Sequence, residues 1–159
     1  MKKLILLLFV ISITKISAQE QDVESYIELL RMDVKTAKNE LITKGMQFTE
    51  KEAEVFWPVY REYQFELDKL NDQRIALIKD YAVNFSKLTD EKAKELVGKN
   101  LDNLSDRIKL KEKYFDKFAE VITYIRAAKV MQIENQIQLL IDLQIATEMP
   151  FAEKPENLK

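Results

Sequence analysis

The 159-residue sequence contains no cysteine and no histidine. Without cysteine the chain can form no disulfide, no thiolate nucleophile and no zinc–sulfur site. Without histidine it lacks the usual general base, the usual transition-metal ligand and the side chain that changes charge near neutral pH. The Glu-x-x-His motifs of di-iron helical bundles are excluded for the same reason. We therefore expect a protein that is not an enzyme and that has no catalytic residue, no metal site and no cofactor.

Glycine and proline are also scarce, with two Gly and three Pro in the chain. Tight turns, which connect the strands of a sheet, draw on these residues, whereas Glu, Lys, Leu, Ile and Ala are abundant and favour helices. The formal net charge is −2, and a mildly acidic chain has no electrostatic footprint for nucleic acid. The composition predicts an all-α protein that does not bind nucleic acid.

The first 18 residues are typical of a secretory signal. Two lysines follow Met1, an apolar run covers residues 4–13, and Ser17 and Ala18 offer a cleavage point. The run is about half as long as a membrane-spanning helix requires. We predict export and removal of residues 1–18, with an N-terminal membrane anchor as the alternative.

Apolar residues at alternating steps of three and four predict four helices, at about residues 22–44, 50–84, 90–121 and 123–147. They are expected to form one domain over residues 19–149, followed by a flexible tail at 150–159. The short connection between the two long helices predicts an antiparallel hairpin, in which Gly98 would face Ala76. The predicted fold class is an all-α, elongated four-helix arrangement with a long hairpin and coiled-coil spacing.

The same spacing predicts which residues face inward. The inner series of the second helix is Phe56, Tyr60, Tyr63, Leu67, Leu70, Arg74, Leu77 and Tyr81. The inner series of the third helix is Val97, Leu101, Leu104, Ile108, Lys111, Phe115 and Phe118. Two further residues have local consequences: Pro58 should kink the second helix, and Gly45 should end the first helix in a left-handed conformation.

Aromatic residues concentrate at the open end of the predicted hairpin. The candidates for contact with a client or partner are Phe56, Trp57, Tyr60, Tyr114, Phe115 and Phe118. One interpretation is an aromatic core that closes this end of the hairpin. The other is a partly open apolar groove that binds another protein.

Two short motifs precede predicted helices. They are Phe48-Thr49-Glu50-Lys51-Glu52 and Ile122-Thr123-Tyr124-Ile125-Arg126. The pair resembles the Leu-Thr-x-x-Gln motifs of the Spy and CpxP chaperone-like proteins of the Gram-negative periplasm, over about residues 49–144. Phe48 and Ile122 take the Leu position and both threonines match, but Glu52 and Arg126 stand in place of Gln.

The resemblance implies a periplasmic, ATP-independent binding protein that holds unfolded clients or damps an envelope-stress sensor, often as a homodimer. Metal sensing through His or Cys, known in some relatives, is not carried over to a chain that has neither. The alternative function is a non-catalytic structural module that binds one dedicated envelope protein. The acidic charge argues against attachment to anionic lipid, and no stable membrane insertion is expected.

Overall fold

The computed structural model describes residues 35–152 of the chain. Helix α1 includes residues 35–46, and α2 spans Glu50–Asn84, followed by a 3₁₀ turn at Phe85–Lys87. Helix α3 spans Asp90–Ile122 and α4 spans Tyr124–Glu148. Residues 35–152 contain no strand, so the all-α class is confirmed. The predicted signal, the start of the first predicted helix and most of the predicted tail lie outside the described residues.

A boundary between two units of the chain lies between Lys44 and Gly45. The single domain expected over residues 19–149 stays a prediction. Helix α1 crosses the boundary between the two units. Helices α2, α3 and α4 all belong to the second unit, together with both short motifs.

Threonine caps begin the two long helices. The Thr49 hydroxyl accepts a hydrogen bond from the Glu52 amide at 3.3 Å, and the Glu52 carboxylate accepts one from the Thr49 amide at 2.9 Å. This reciprocal capping box satisfies two amides that a helix start leaves unpaired. At the start of α3 the Thr89 hydroxyl accepts from the Lys92 amide at 3.2 Å. Acidic residues in both first turns suit the positive ends of the helix dipoles.

The prediction for Gly45 is wrong. Gly45 lies within α1 and has no positive φ, whereas Gln47 takes the left-handed conformation with φ 48°. Close packing against α4 explains the glycine instead, because a Cβ at this position would lie 2.6 Å from the Ile133 Cδ1 atom. The sequence around Gly45 gave no sign of that contact, since Ile133 is far away along the chain.

Helices α2 and α3 form the antiparallel hairpin. Lys113 pairs with Glu66 at 2.8 Å, and near the turn Lys92 pairs with Asp80 at 2.8 Å. Helix α4 runs back along α3, as the 2.7 Å hydrogen bond from Lys111 Nζ to Asn135 Oδ1 requires. Helix α2 continues through Pro58, and the kink expected there stays a prediction.

The inner face of α2 begins as the sequence predicts, because its buried residues include Phe56, Tyr60, Tyr63 and Leu67. The inner series predicted for α3 is wrong over its first half. Val97, Leu101, Leu104 and Ile108 are 60%, 59%, 45% and 59% exposed. The residues that α3 buries are Leu96, Asn103, Arg107, Leu110, Tyr114, Phe118 and Ile122.

The physical reason is that α3 carries two helical series of similar spacing, on different faces. The face that turns inward includes Asn103 and Arg107, whose amide and guanidinium groups find partners on α2. Buried polar groups are tolerated where such partners exist. Hydrophobic periodicity alone favours the other series, because it counts Asn103 and Arg107 as surface residues.

Gly98 gives a simple test of the orientation of α3. A Cβ added at Gly98 meets no atom within 4 Å, so the predicted close approach to Ala76 does not occur. We expect Gly98→Ala to raise the free energy of unfolding by about 1 kcal/mol, because Ala costs less than Gly in an exposed helix interior. Urea denaturation followed by circular dichroism measures this change.

Gly45→Ala is the matched control, because its Cβ would press on Ile133. We expect it to be neutral or destabilising, as inserted core methyl groups usually are. A loss of stability in Gly98→Ala would mean that α3 faces another element at this position.

Candidate functional site

The two short motifs meet in the second unit. The Arg126 Nε atom lies 2.9 Å from the Glu52 Oε1 atom, and the Arg126 guanidinium lies 5.2 Å from the centre of the Phe48 ring. Arg126 also donates to the Met46 carbonyl at 3.1 Å. Hydrogen bonds from Thr49, and then the charge of Arg126, hold the pKa of the Glu52 carboxyl below its usual value. The two residues that depart from the motif therefore pair with each other and tie the start of α4 to the start of α2.

The second motif differs from the first in its threonine. Thr123 is the single residue between α3 and α4, and its side chain makes no cap hydrogen bond. Its backbone caps both helices instead. At the end of α3 its amide donates to the Ala119 carbonyl, and at the start of α4 its carbonyl accepts from the Ala127 amide. Ile122 is buried at the end of α3. The motif residues are therefore structural parts of the helix ends.

The aromatic cluster is closed. Of the six candidate contact residues, Phe56, Tyr60, Tyr114 and Phe118 are at most 1% exposed. Their rings pack against one another, with centroids 5.3 Å apart for the tilted pair Phe56 and Phe118. Four of the six therefore lie in the core and offer a partner no surface.

The remaining two candidates, Trp57 and Phe115, are partly exposed. The Trp57 ring packs edge-on against Phe56, and the Phe115 ring lies 5.5 Å from that of Tyr124. The Trp57 ring therefore lies at the edge of the aromatic core, whereas Phe115 packs on the exposed Tyr124.

A buried carboxylate lies beside the aromatic core. Glu134 of α4 is 3% exposed and accepts hydrogen bonds from Tyr60 at 2.5 Å and from Tyr63 at 3.4 Å. Burial raises the pKa of both phenols, and the neighbouring Glu134 charge raises it further. In the sequence, Glu134 stands four residues after Val130 and three before Ile137, at the helical spacing that places it on the same face as these two apolar residues.

Further from the aromatic end, the interior becomes polar. Arg107 of α3 is 5% exposed and donates to Asn71 at 2.6 Å and to Gln138. Burial, and then the nearby charge of Arg74, lower the pKa of Arg107. Arg74 itself bonds to Asp142 at 2.5 Å. These bonds join α2, α3 and α4 in one network of charged and amide side chains.

Asn103 extends this polar interior towards the hairpin turn. Its amide donates to the Leu70 carbonyl at 2.9 Å and to Gln73 at 3.3 Å. The apolar residues of the same segment of α3 point the other way. We call Val97, Leu101, Leu104 and Ile108 the outer stripe.

The neighbouring part of α4 is also apolar outside. Leu139, Leu140 and Leu143 are all exposed. They lie at the level of the outer stripe, because Gln138 bonds to Arg107, the residue before Ile108. Where α3 and α4 have a polar inside, both therefore carry leucines outside.

Among the described residues no cluster of three or more carboxylates has the geometry of a metal site. No helix within residues 35–152 combines the length and the apolar character that crossing a membrane requires. The feature that remains to be explained by function is the outer stripe.

Comparisons with known proteins do not assign the chain to a family. No protein-family model matches it, no curated protein matches it, and no solved structure matches it.

Proposed function

We propose that this chain is an ATP-independent, periplasmic binding protein that holds apolar segments of unfolded client proteins on the outer stripe. The observation that carries the proposal is the inversion in α3, where Leu101 and Leu104 face solvent while Asn103 and Arg107 are buried. Folding alone does not account for it, because burying apolar side chains is the main stabilising effect in a folded chain. An apolar binding partner would account for it.

The rim of the stripe carries both signs of charge. Lys99 pairs with Glu95 at 2.5 Å and Lys109 pairs with Asp106 at 2.8 Å, all on exposed side chains of α3. Such surface pairs contribute little to stability. A rim with both signs excludes neither acidic nor basic segments, which suits clients of varied sequence.

The size of the stripe favours weak binding. Burying one aliphatic side chain contributes about 1.5–3 kcal/mol, and each Å² of buried apolar area contributes about 25 cal/mol. A fully exposed aliphatic side chain therefore offers roughly 60–120 Å² of apolar area. Four side chains that are half exposed therefore present roughly 200 Å², against the roughly 800 Å² per partner that a stable interface buries. This supports transient holding over a permanent complex with one dedicated partner.

The test is protection of a chemically denatured, unrelated enzyme from aggregation on dilution. Leu101→Gln combined with Leu104→Gln should raise the concentration needed for half-protection by about fivefold or more. The free energy of unfolding should change by less than about 1 kcal/mol in total, because both residues are exposed. Light scattering and urea denaturation measure the two quantities.

The matched control is Val55→Gln combined with Val83→Gln, two exposed apolar residues on α2. The control should protect as well as the wild-type protein. Equal loss in both double variants would show that general surface hydrophobicity acts, and no protection by the wild-type protein would end the proposal. Recovery of one stoichiometric companion from a periplasmic extract would favour the dedicated-partner function.

A further inference from the structure

The connection between α3 and α4 is strained. Thr123 has φ 83° and ψ 153°, a region that is populated almost entirely by glycine. A β-branched residue at positive φ is an outlier, because its side chain crowds the backbone. The Thr123 hydroxyl makes no cap hydrogen bond that would offset the strain.

Nothing in the local sequence requires the chain to turn here. Residues 119–127 contain neither glycine nor proline, the residues that usually interrupt a helix. If Thr123 adopted helical φ and ψ, the 33 residues of α3 and the 25 of α4 would form one helix roughly 90 Å long at 1.5 Å per residue. Helix α4 would then lie too far from its own α2 to pack against it.

We propose that the protein forms a domain-swapped dimer, in which Thr123 straightens and the α4 of each copy packs on the α2 and α3 of a second copy. Swapping an identical element gives a dimer without a new core. Contacts of α4 with the rest of the second unit would then be made between copies. These contacts include Glu134 with Tyr60 and Asp142 with Arg74.

The surface beside the hinge provides independent support. Ile125 is 85% exposed and Tyr124 is 62% exposed, directly after Thr123. In a swapped dimer the two straightened helices pass each other at this point, around the two-fold axis. Ile125 and Tyr124 of each copy then face the hinge of the other copy and lose their contact with water.

The hinge is tested by substitution of Thr123. Glycine accepts the monomer conformation without strain, so Thr123→Gly should raise the dimer dissociation constant by at least about tenfold per hinge. Thr123→Ala keeps the strain of a side chain at positive φ and favours a continuous helix, so it should lower the constant. The dimer dissociation constant is measured by sedimentation of protein that has been refolded at low and at high concentration. A wild-type protein that stays monomeric after refolding at millimolar concentration, or equal constants in both variants, would overturn the proposal.

A charge exchange separates a swapped dimer from any other. Arg74→Glu and Asp142→Arg each place like charges together within one chain. A swapped heterodimer of the two variants restores an opposite pair at both sites. Refolding the variants together should therefore yield heterodimer in large excess over either homodimer. A statistical mixture, or no dimer, would contradict the swap.

Ile125→Ser completes the experiment. It should weaken the dimer and leave the melting temperature of the monomer unchanged, because Ile125 makes almost no contact in the single chain. An unchanged dimer constant would contradict the expected contact at the two-fold axis. The swap does not depend on the outer stripe, so its failure would leave the proposed function standing, and the reverse is also true.

Discussion

Replacing Phe118 by Ala is expected to lower the free energy of unfolding by about 3–5 kcal/mol, because the cost of the lost burial is added to that of the cavity left behind. Phe118 is fully buried at the centre of the aromatic core. Its ring centroid lies 5.3 Å from that of Phe56, 6.1 Å from that of Tyr60 and 5.9 Å from that of Tyr114. Rigid aromatic neighbours relax poorly into a void, which places the effect in the upper part of this range.

The matched control is Phe65→Ala, which removes the same side chain from a position that is 64% exposed. Its ring contacts the Lys69 ammonium at 4.4 Å, a surface interaction of about 0.5–1 kcal/mol. Urea denaturation of both variants, followed by circular dichroism, gives the comparison. A loss below about 1 kcal/mol in Phe118→Ala would show that the aromatic cluster is not the core and would revive the groove interpretation.

Local features of the chain could be predicted from the sequence. Thr49 with Glu52, and Thr89 with the acids behind it, mark the starts of α2 and α3 by chemistry within one turn. The aromatic face of α2 also follows from its spacing, because Phe56, Tyr60 and Tyr63 form one unambiguous series. In both cases the signal and the structure lie within a few residues of each other.

The rotation of α3 could not be predicted in the same way. Its spacing is compatible with two inner faces, and the choice depends on whether Asn103 and Arg107 find partners inside. Those partners are the Leu70 carbonyl and the Asn71 side chain, more than 30 residues away in sequence. Whether a polar side chain can be buried depends on the partners that tertiary contacts supply. The outer stripe can therefore be identified only once α2 and α3 are placed together.

The two short motifs could be predicted from the sequence in part. Glu52 and Arg126 are recognisable in the sequence as opposite charges at equivalent motif positions. That they form an ion pair across 74 residues follows only from the packing of α4 against α2. The two charges can be read from the sequence, but their contact depends on the fold.

Alkaline pH is expected to destabilise the protein strongly, beginning near pH 10. The pKa values of Tyr60 and Tyr63 are raised in the folded state, first by burial and then by the Glu134 carboxylate. In the unfolded chain both phenols ionise near pH 10. Below that pH both phenols are protonated in the folded and in the unfolded protein. Their contribution to the free energy of unfolding is therefore fully present.

Above pH 10 the unfolded state releases these protons while the folded state retains them. The free energy of unfolding should therefore fall by roughly 1.4 kcal/mol per pH unit for each of the two tyrosines, until the folded protein itself unfolds or ionises. Urea denaturation between pH 8 and pH 12 measures the slope. Phenolate absorbance at the same pH values reports which tyrosines have ionised.

Tyr63→Phe isolates the cause. Its hydrogen bond to Glu134 is the longer of the two, at 3.4 Å, so the substitution should leave the fold intact and remove about 1.4 kcal/mol per pH unit from the slope. Comparison with the wild-type protein at each pH cancels the contribution of lysine deprotonation, which both proteins share. If all six tyrosines ionised near pH 10 while the circular dichroism stayed helical, the phenols would be open to water and the closed aromatic core would be wrong.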